Sequence, residues 1–93
     1  MTDLEEIISG ARVALDNGLP EKALEILGSQ AFANNDDVLF LKGEIYFKLQ
    51  QWGEALNQFS RFLEKFPDDS KAQSYCQMIR NILGFYHKDL YNP

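Results

Sequence analysis

The sequence predicts an all-α domain of five helices stacked as successive hairpins. Apolar residues recur at three- and four-residue spacing along most of the 93-residue chain, while Gly18, Pro20, Gly28 and Pro67 punctuate the boundaries of those stretches, and no useful β-type alternation occurs. Sliding the chain on itself by 32 residues superimposes Ala11 on Gly43, Ala14 on Tyr46, Ala23 on Ala55, Leu24 on Leu56 and Leu27 on Phe59. A period in this range implies a solenoid, in which each helix hairpin buries its open face against the next.

Each helix has local start and stop signals. Asp3 and Glu6 have capping-box spacing, so the first helix is expected to begin near Leu4. Leu4, Ile7, Ile8, Ala11, Ala14 and Leu15 form its inner face, until Asn17-Gly18 supplies a left-handed stop. Pro20 suits the first position of a second helix, where its missing N–H is not needed, and Ala23, Leu24, Ile26 and Leu27 are its inner residues. Asn34-Asn35-Asp36-Asp37 closes the pair and caps a third helix running to Gln50, whose expected core comprises Val38, Leu39, Ile45, Tyr46 and Leu49, with Gly43 on the same face. A fourth helix, from Trp52 to Phe66, carries Ala55, Leu56, Phe59, Phe62 and Leu63 before Pro67 stops it. Asp68-Asp69 caps a fifth, which has one apolar stripe of Ala72, Cys76, Ile79, Leu83 and Tyr86 and a second of Met78, Ile82 and Phe85.

Composition narrows the function classes. A hydrophobic fraction of 45% with 25% charged residues is that of a globular chain, not a disordered one. Fourteen acidic against nine basic side chains give a net charge of −5, which opposes nucleic acid as a partner. No apolar run approaches the ~20 residues that span a bilayer, and no signal peptide begins the chain, so no membrane insertion and a cytoplasmic location are expected.

Leu39, Gly43, Tyr46, Trp52, Ala55, Phe59 and Pro67 stand within the 34-residue unit from Asp36 to Asp69 at a spacing that resembles the tetratricopeptide repeat family. Lys42 replaces a usually apolar residue and Phe62 a usually small one. The resemblance implies a right-handed solenoid of helical hairpins forming a single domain over residues 1–93. Within it, 4–35 is a degenerate repeat, 36–69 a well-matched repeat, 70–87 a capping helix and 88–93 a tail.

Catalytic chemistry is not expected. Cys76 and His87 are the only cysteine and histidine, and about 16 Å of helical rise separates them along one helix, beyond hydrogen-bond reach. No metal-ligand set, phosphate-binding glycine loop or nucleophile elbow occurs, so catalytic, metal and cofactor residues are all expected to be none. Glu44 and Lys48 have the favourable i,i+4 order for a modest surface pair, and Trp52 is expected to pack at its hairpin turn.

Function is expected on the inner surface formed by alternate helices. By the family resemblance this stripe contains Ile8, Arg12, Leu15, Phe40, Glu44, Phe47, Ser74, Met78 and Ile82. Phe40 and Phe47 lie seven residues apart, about 100° around the helix from Leu39 and Tyr46, and are read either as groove or as core closed over by neighbouring helices. Some family members grip a peptide's terminal carboxylate with Lys, Arg and Asn on this face. Here Arg12 is accompanied by Glu44, Phe40 and Met78, so an apolar or amphipathic protein segment is the expected ligand. The alternative is a self-assembly or domain-docking module using the fifth helix, whose second stripe is wide for a terminal cap. Either the tail folds back over that stripe in a monomer, or a homodimer completes it.

Overall fold

The computed structural model of the chain describes residues 3–28 and 32–86, with Phe85 and Tyr86 described by backbone alone. Five helices run in order: α1 (Asp3–Asp16), α2 (Pro20–Leu27), α3 (Asp36–Lys48), α4 (Trp52–Lys65) and α5 (Ser70–Tyr86). No strand occurs among the described residues. Each helix packs against its sequence neighbours, and α1 also reaches α3, the connectivity of stacked hairpins.

Helix α1 is already helical at Asp3, one residue earlier than the capping-box spacing implied, and Asp3, Glu5 and Glu6 place negative charge in its first turn. At its end Gly18 has φ 79°, its N–H reaches Leu15 O at 3.0 Å, and Leu19 N–H reaches Ala14 O at 2.9 Å, a Schellman motif. The same pair of bonds recurs 32 residues on. Gln50 N–H reaches Phe47 O at 3.0 Å and Gln51 N–H reaches Tyr46 O at 2.9 Å, with Gln50 at φ 61°. Helix α3 therefore stops at Lys48 instead of running to Gln50, although no glycine marks the stop.

The expected caps form between hairpins. Asn35 Oδ1 accepts from Asp37 N at 2.9 Å and Val38 N at 3.2 Å, and Asp69 Oδ1 accepts from Ala72 N at 2.9 Å. Lys65 of α4 donates to Asn34 O at 3.1 Å and Asp36 Oδ1 at 2.8 Å, and Arg61 donates to Asn34 Oδ1, fastening the start of α3 to its partner helix.

Two apolar clusters fill the stack, and α3 serves both. Val38, Leu41 and Ile45 join Ala11, Ala14, Leu15, Ala23 and Leu27 in the first. Phe40, Tyr46 and Phe47 pack against Ala55, Phe59, Ala72, Cys76 and Ile79 in the second. A central helix buried on two sides needs apolar residues around most of its circumference, which explains why Leu41, outside the expected face, is 2% exposed.

Small residues set the spacing of the hairpins. Ala11, Ala23 and Ala55 are fully buried, and a Cβ on Gly43 would lie 2.6 Å from the tip of the Phe59 ring. Helix α5 covers the open edge with Ala72, Cys76 and Ile79 inward. Its exposed residues include Gln73, Ser74, Gln77, Arg80 and Asn81, with Met78 the exposed large apolar side chain among those described. Among the described side chains the outer face is mostly polar, with Met78 of the second apolar stripe exposed and Ile82 half-buried. The side chains of Phe85 and Tyr86, and the tail expected to fold back, lie outside the described residues.

Candidate functional site

Arg12 on α1 and Glu44 on α3 are 32 residues apart, the repeat period, so stacking of equivalent helices brings them face to face. Arg12 Nη2 donates to Glu44 Oε1 at 2.6 Å, and the Tyr75 hydroxyl of α5 donates to Glu44 Oε2 at 3.3 Å. One carboxylate thus ties together three alternate helices. Its side chain is 10% exposed against 43% for Arg12. Burial of a carboxylate is costly without partners, and here both oxygens are occupied.

Tyr75 holds this arrangement in place through its ring. It stacks on Phe59 with centroids 4.6 Å apart and planes 9° from parallel, and meets Phe47 edge-on at 5.1 Å and Phe40 at 6.0 Å. Burial raises the phenol pKa first, and the Glu44 charge and hydrogen bond raise it further against the lowering effect of Arg12. The hydroxyl consequently keeps its proton and acts as donor.

A cavity of about 320 Å³ opens over this network. Its lining combines buried Leu15 and Glu44, half-buried Arg12, Phe47 and Tyr75, and exposed Asp16 and Lys48. Asp16 and Lys48 are themselves 32 residues apart and one helical turn beyond Arg12 and Glu44. The two repeats therefore present opposite charges at both equivalent positions.

Four of the sequence-expected stripe residues, Arg12, Leu15, Glu44 and Phe47, come together in this lining. Leu15, at 7% exposure, belongs to the first core, in keeping with its expected inner-face position, and also borders the cavity. Glu44 requires correction in one respect: it is a buried acceptor facing Arg12 instead of an exposed partner of Lys48. Ile8 packs against the first core, and Phe40 against the second with edge contacts to Phe59 at 5.3 Å and Phe62 at 5.1 Å. The alternatives for the two phenylalanines resolve differently: both pack on core, and only Phe47 also lines the cavity. Ser74, Met78 and Ile82 lie outside the lining.

Sequence reasoning missed Asp16, Lys48 and Tyr75. The first two carry a readable signal, their 32-residue separation one turn beyond the Arg12 and Glu44 pair. Tyr75 carries none, because projecting the 34-residue repeat onto α5 places Met78 opposite Glu44, whereas the contact falls at Tyr75, 31 residues on. Trp52 packs edge-on against Phe47 at 5.2 Å, in keeping with its expected place at the hairpin turn.

Among the described residues, groups suited to other chemistry are not assembled. Cys76 is buried, and its thiol pKa is raised by burial, with Arg80 and a hydrogen bond to Ser60 opposing. His87 lies outside the described residues. Among the described residues no group of three His, Cys, Asp or Glu side chains could hold a metal ion, and no helix is long and apolar enough to cross a membrane.

A family model described as tetratricopeptide repeat matches residues 14–79, from the last turn of α1 into α5. The chain belongs to the tetratricopeptide repeat family. Domains of this family generally mediate protein–protein interaction and are typically non-catalytic. Comparisons with curated proteins and with solved structures returned no match. In this tetratricopeptide repeat domain the matched region holds the whole cavity lining except Arg12.

Proposed function

We propose that this tetratricopeptide repeat domain binds an amphipathic segment of a partner protein along the face shared by α1, α3 and α5. The cavity of about 320 Å³ over Glu44 and Tyr75 carries this reading. Its size suits one or two side chains, and Leu15 and Phe47 offer apolar contact. The exposed charges of Asp16 and Lys48 suit the polar side of such a segment and orient it. Metal and cofactor have no part in the proposed interaction. The polar outer face of α5 weighs against the rival reading of self-assembly through that helix.

Truncating Phe40 or Phe47 is a poor test, because either change opens the second core. The Asp16→Lys, Lys48→Glu double variant alters exposed groups alone. Peptides selected from a random library on the wild type are titrated by calorimetry against both proteins. The expected result is one-to-one binding that weakens at least about tenfold in the double variant, a loss in the range of a few interfacial charges. Equal affinity for both proteins removes the groove from consideration.

A further inference from the structure

The cavity holds two cations and two anions, but they are not equally available to a ligand. Asp16 and Lys48 are exposed and solvated. Glu44 is buried, with Oε1 taken by Arg12 at 2.6 Å and Oε2 by the Tyr75 hydroxyl at 3.3 Å. Arg12, the less exposed of the two cations, is therefore neutralised from within the protein by a short charge-assisted bond. A ligand carboxylate approaching Arg12 must share that guanidinium with Glu44, which sets two like charges side by side. Glu44 is also tethered at its other oxygen by Tyr75, which is itself held by its stack on Phe59 and its edge contact with Phe47.

We infer that Glu44 is a specificity-determining residue: by holding Arg12 it closes the cavity to acidic side chains and reserves it for a neutral, apolar one. This inference rests on the groove reading above and adds the chemistry of the anchoring side chain. A neutral side chain leaves the Arg12–Glu44 pair intact and gains the apolar walls of Leu15 and Phe47. A basic side chain meets Arg12 and Lys48 in the same space and finds both Glu44 oxygens engaged, leaving only the exposed, solvent-screened Asp16 as an acceptor.

The test compares two probes, the α-amides of N-acetylglutamate and N-acetylleucine, titrated into wild type and Glu44→Gln. The Arg12 Nε–H signal and the Tyr75 and Phe47 ring signals are followed by NMR. In wild type the leucine probe shifts the ring signals and the glutamate probe leaves Arg12 unmoved. In Glu44→Gln the glutamate probe binds at Arg12 at least about tenfold more tightly than in wild type, as expected when a neighbouring like charge is removed. A purely structural Glu44 would leave the charge preference of the cavity unchanged. The inference is overturned if the glutamate probe shifts Arg12 equally in both proteins, or if the variant gains nothing. Should Glu44→Gln fail to fold, wild type still decides, because saturable binding of the glutamate probe at Arg12 contradicts the inference and its absence alongside leucine-probe binding supports it. Selected peptides that still lose affinity in the Asp16→Lys, Lys48→Glu variant while charge preference stays flat would sink this inference and leave the groove reading standing.

Discussion

Replacing Gly43 with alanine adds one methyl group where α3 and the Phe59 ring of α4 approach most closely because a side chain is missing. The new Cβ would sit 2.6, 2.7 and 2.8 Å from three carbons of the Phe59 ring. Comfortable carbon contacts are about 3.5–4.0 Å, so the ring or the helix must yield by about 1 Å. Phe59 has little freedom to yield, because it is fully buried, stacked on Tyr75 at 4.6 Å and met edge-on by Phe40 at 5.3 Å. Overpacking costs about 1–3 kcal/mol, here in the upper half of that range because the ring is held on two sides, and the better helix propensity of alanine returns about 1 kcal/mol, leaving a net loss of about 1–2 kcal/mol. For a domain of this size that lowers Tm by about 5–15 °C. Thermal melts followed by circular dichroism at 222 nm give the value. A double-mutant cycle with Phe59→Leu locates its origin, since a slimmer side chain at 59 should absorb much of the penalty. An unchanged or higher Tm for Gly43→Ala, or additive losses in the cycle, would refute the contact argument.

Other expectations follow from single residues. Gln50→Gly should stabilise the domain by about 0.5–1 kcal/mol in urea unfolding, because glycine removes the steric cost of φ 61° at a net gain over its unfolded-state entropy; a loss of stability would mean that the left-handed stop is not formed. Gln58 Oε1 is buried with no hydrogen-bond partner among the described residues, so Gln58→Leu should raise stability by about 1 kcal/mol, visible as a higher urea midpoint at unchanged slope. Burial raises the pKa of Tyr46, Tyr75 and Cys76 above ordinary values of 10.0, 10.0 and 9.0, so the folded chain binds more protons than the unfolded chain in alkali. Their contribution is fully present below about pH 9 and is lost as pH rises through the folded values, so denaturant midpoints should fall above that pH, and a midpoint rising there contradicts the sign.

Much of the architecture was legible in the sequence because its signals are local. Asn35 and Asp69 reach backbone N–H groups two or three residues away, Pro20 acts at its own position, and Gly18 closes a turn within five residues. The 32-residue self-match carried the stacking, since equivalent helices meet in register, and it brought Arg12 opposite Glu44 and Leu15 near Phe47. The left-handed stop at Gln50 escaped notice because the conformation is imposed by the hairpin, not by the residue. Its equivalence to Gly18 is apparent only once both Schellman motifs are compared.

Periodicity and local signals in the sequence determined the number of helices, the caps at Asn35 and Asp69 and the repeat. Tertiary structure alone decided how α5 is rotated about its axis and how deeply Glu44 is buried. Helix rotation is set by long-range packing: the absence of a side chain at Gly43 lets Phe59 approach α3, and the flat face of Phe59 then selects Tyr75 as its stacking partner. That selection carries the Tyr75 hydroxyl to Glu44 and closes the third side of the cavity. A helical pattern states which residues share a face, but the direction of that face is a property of the neighbours against which it packs.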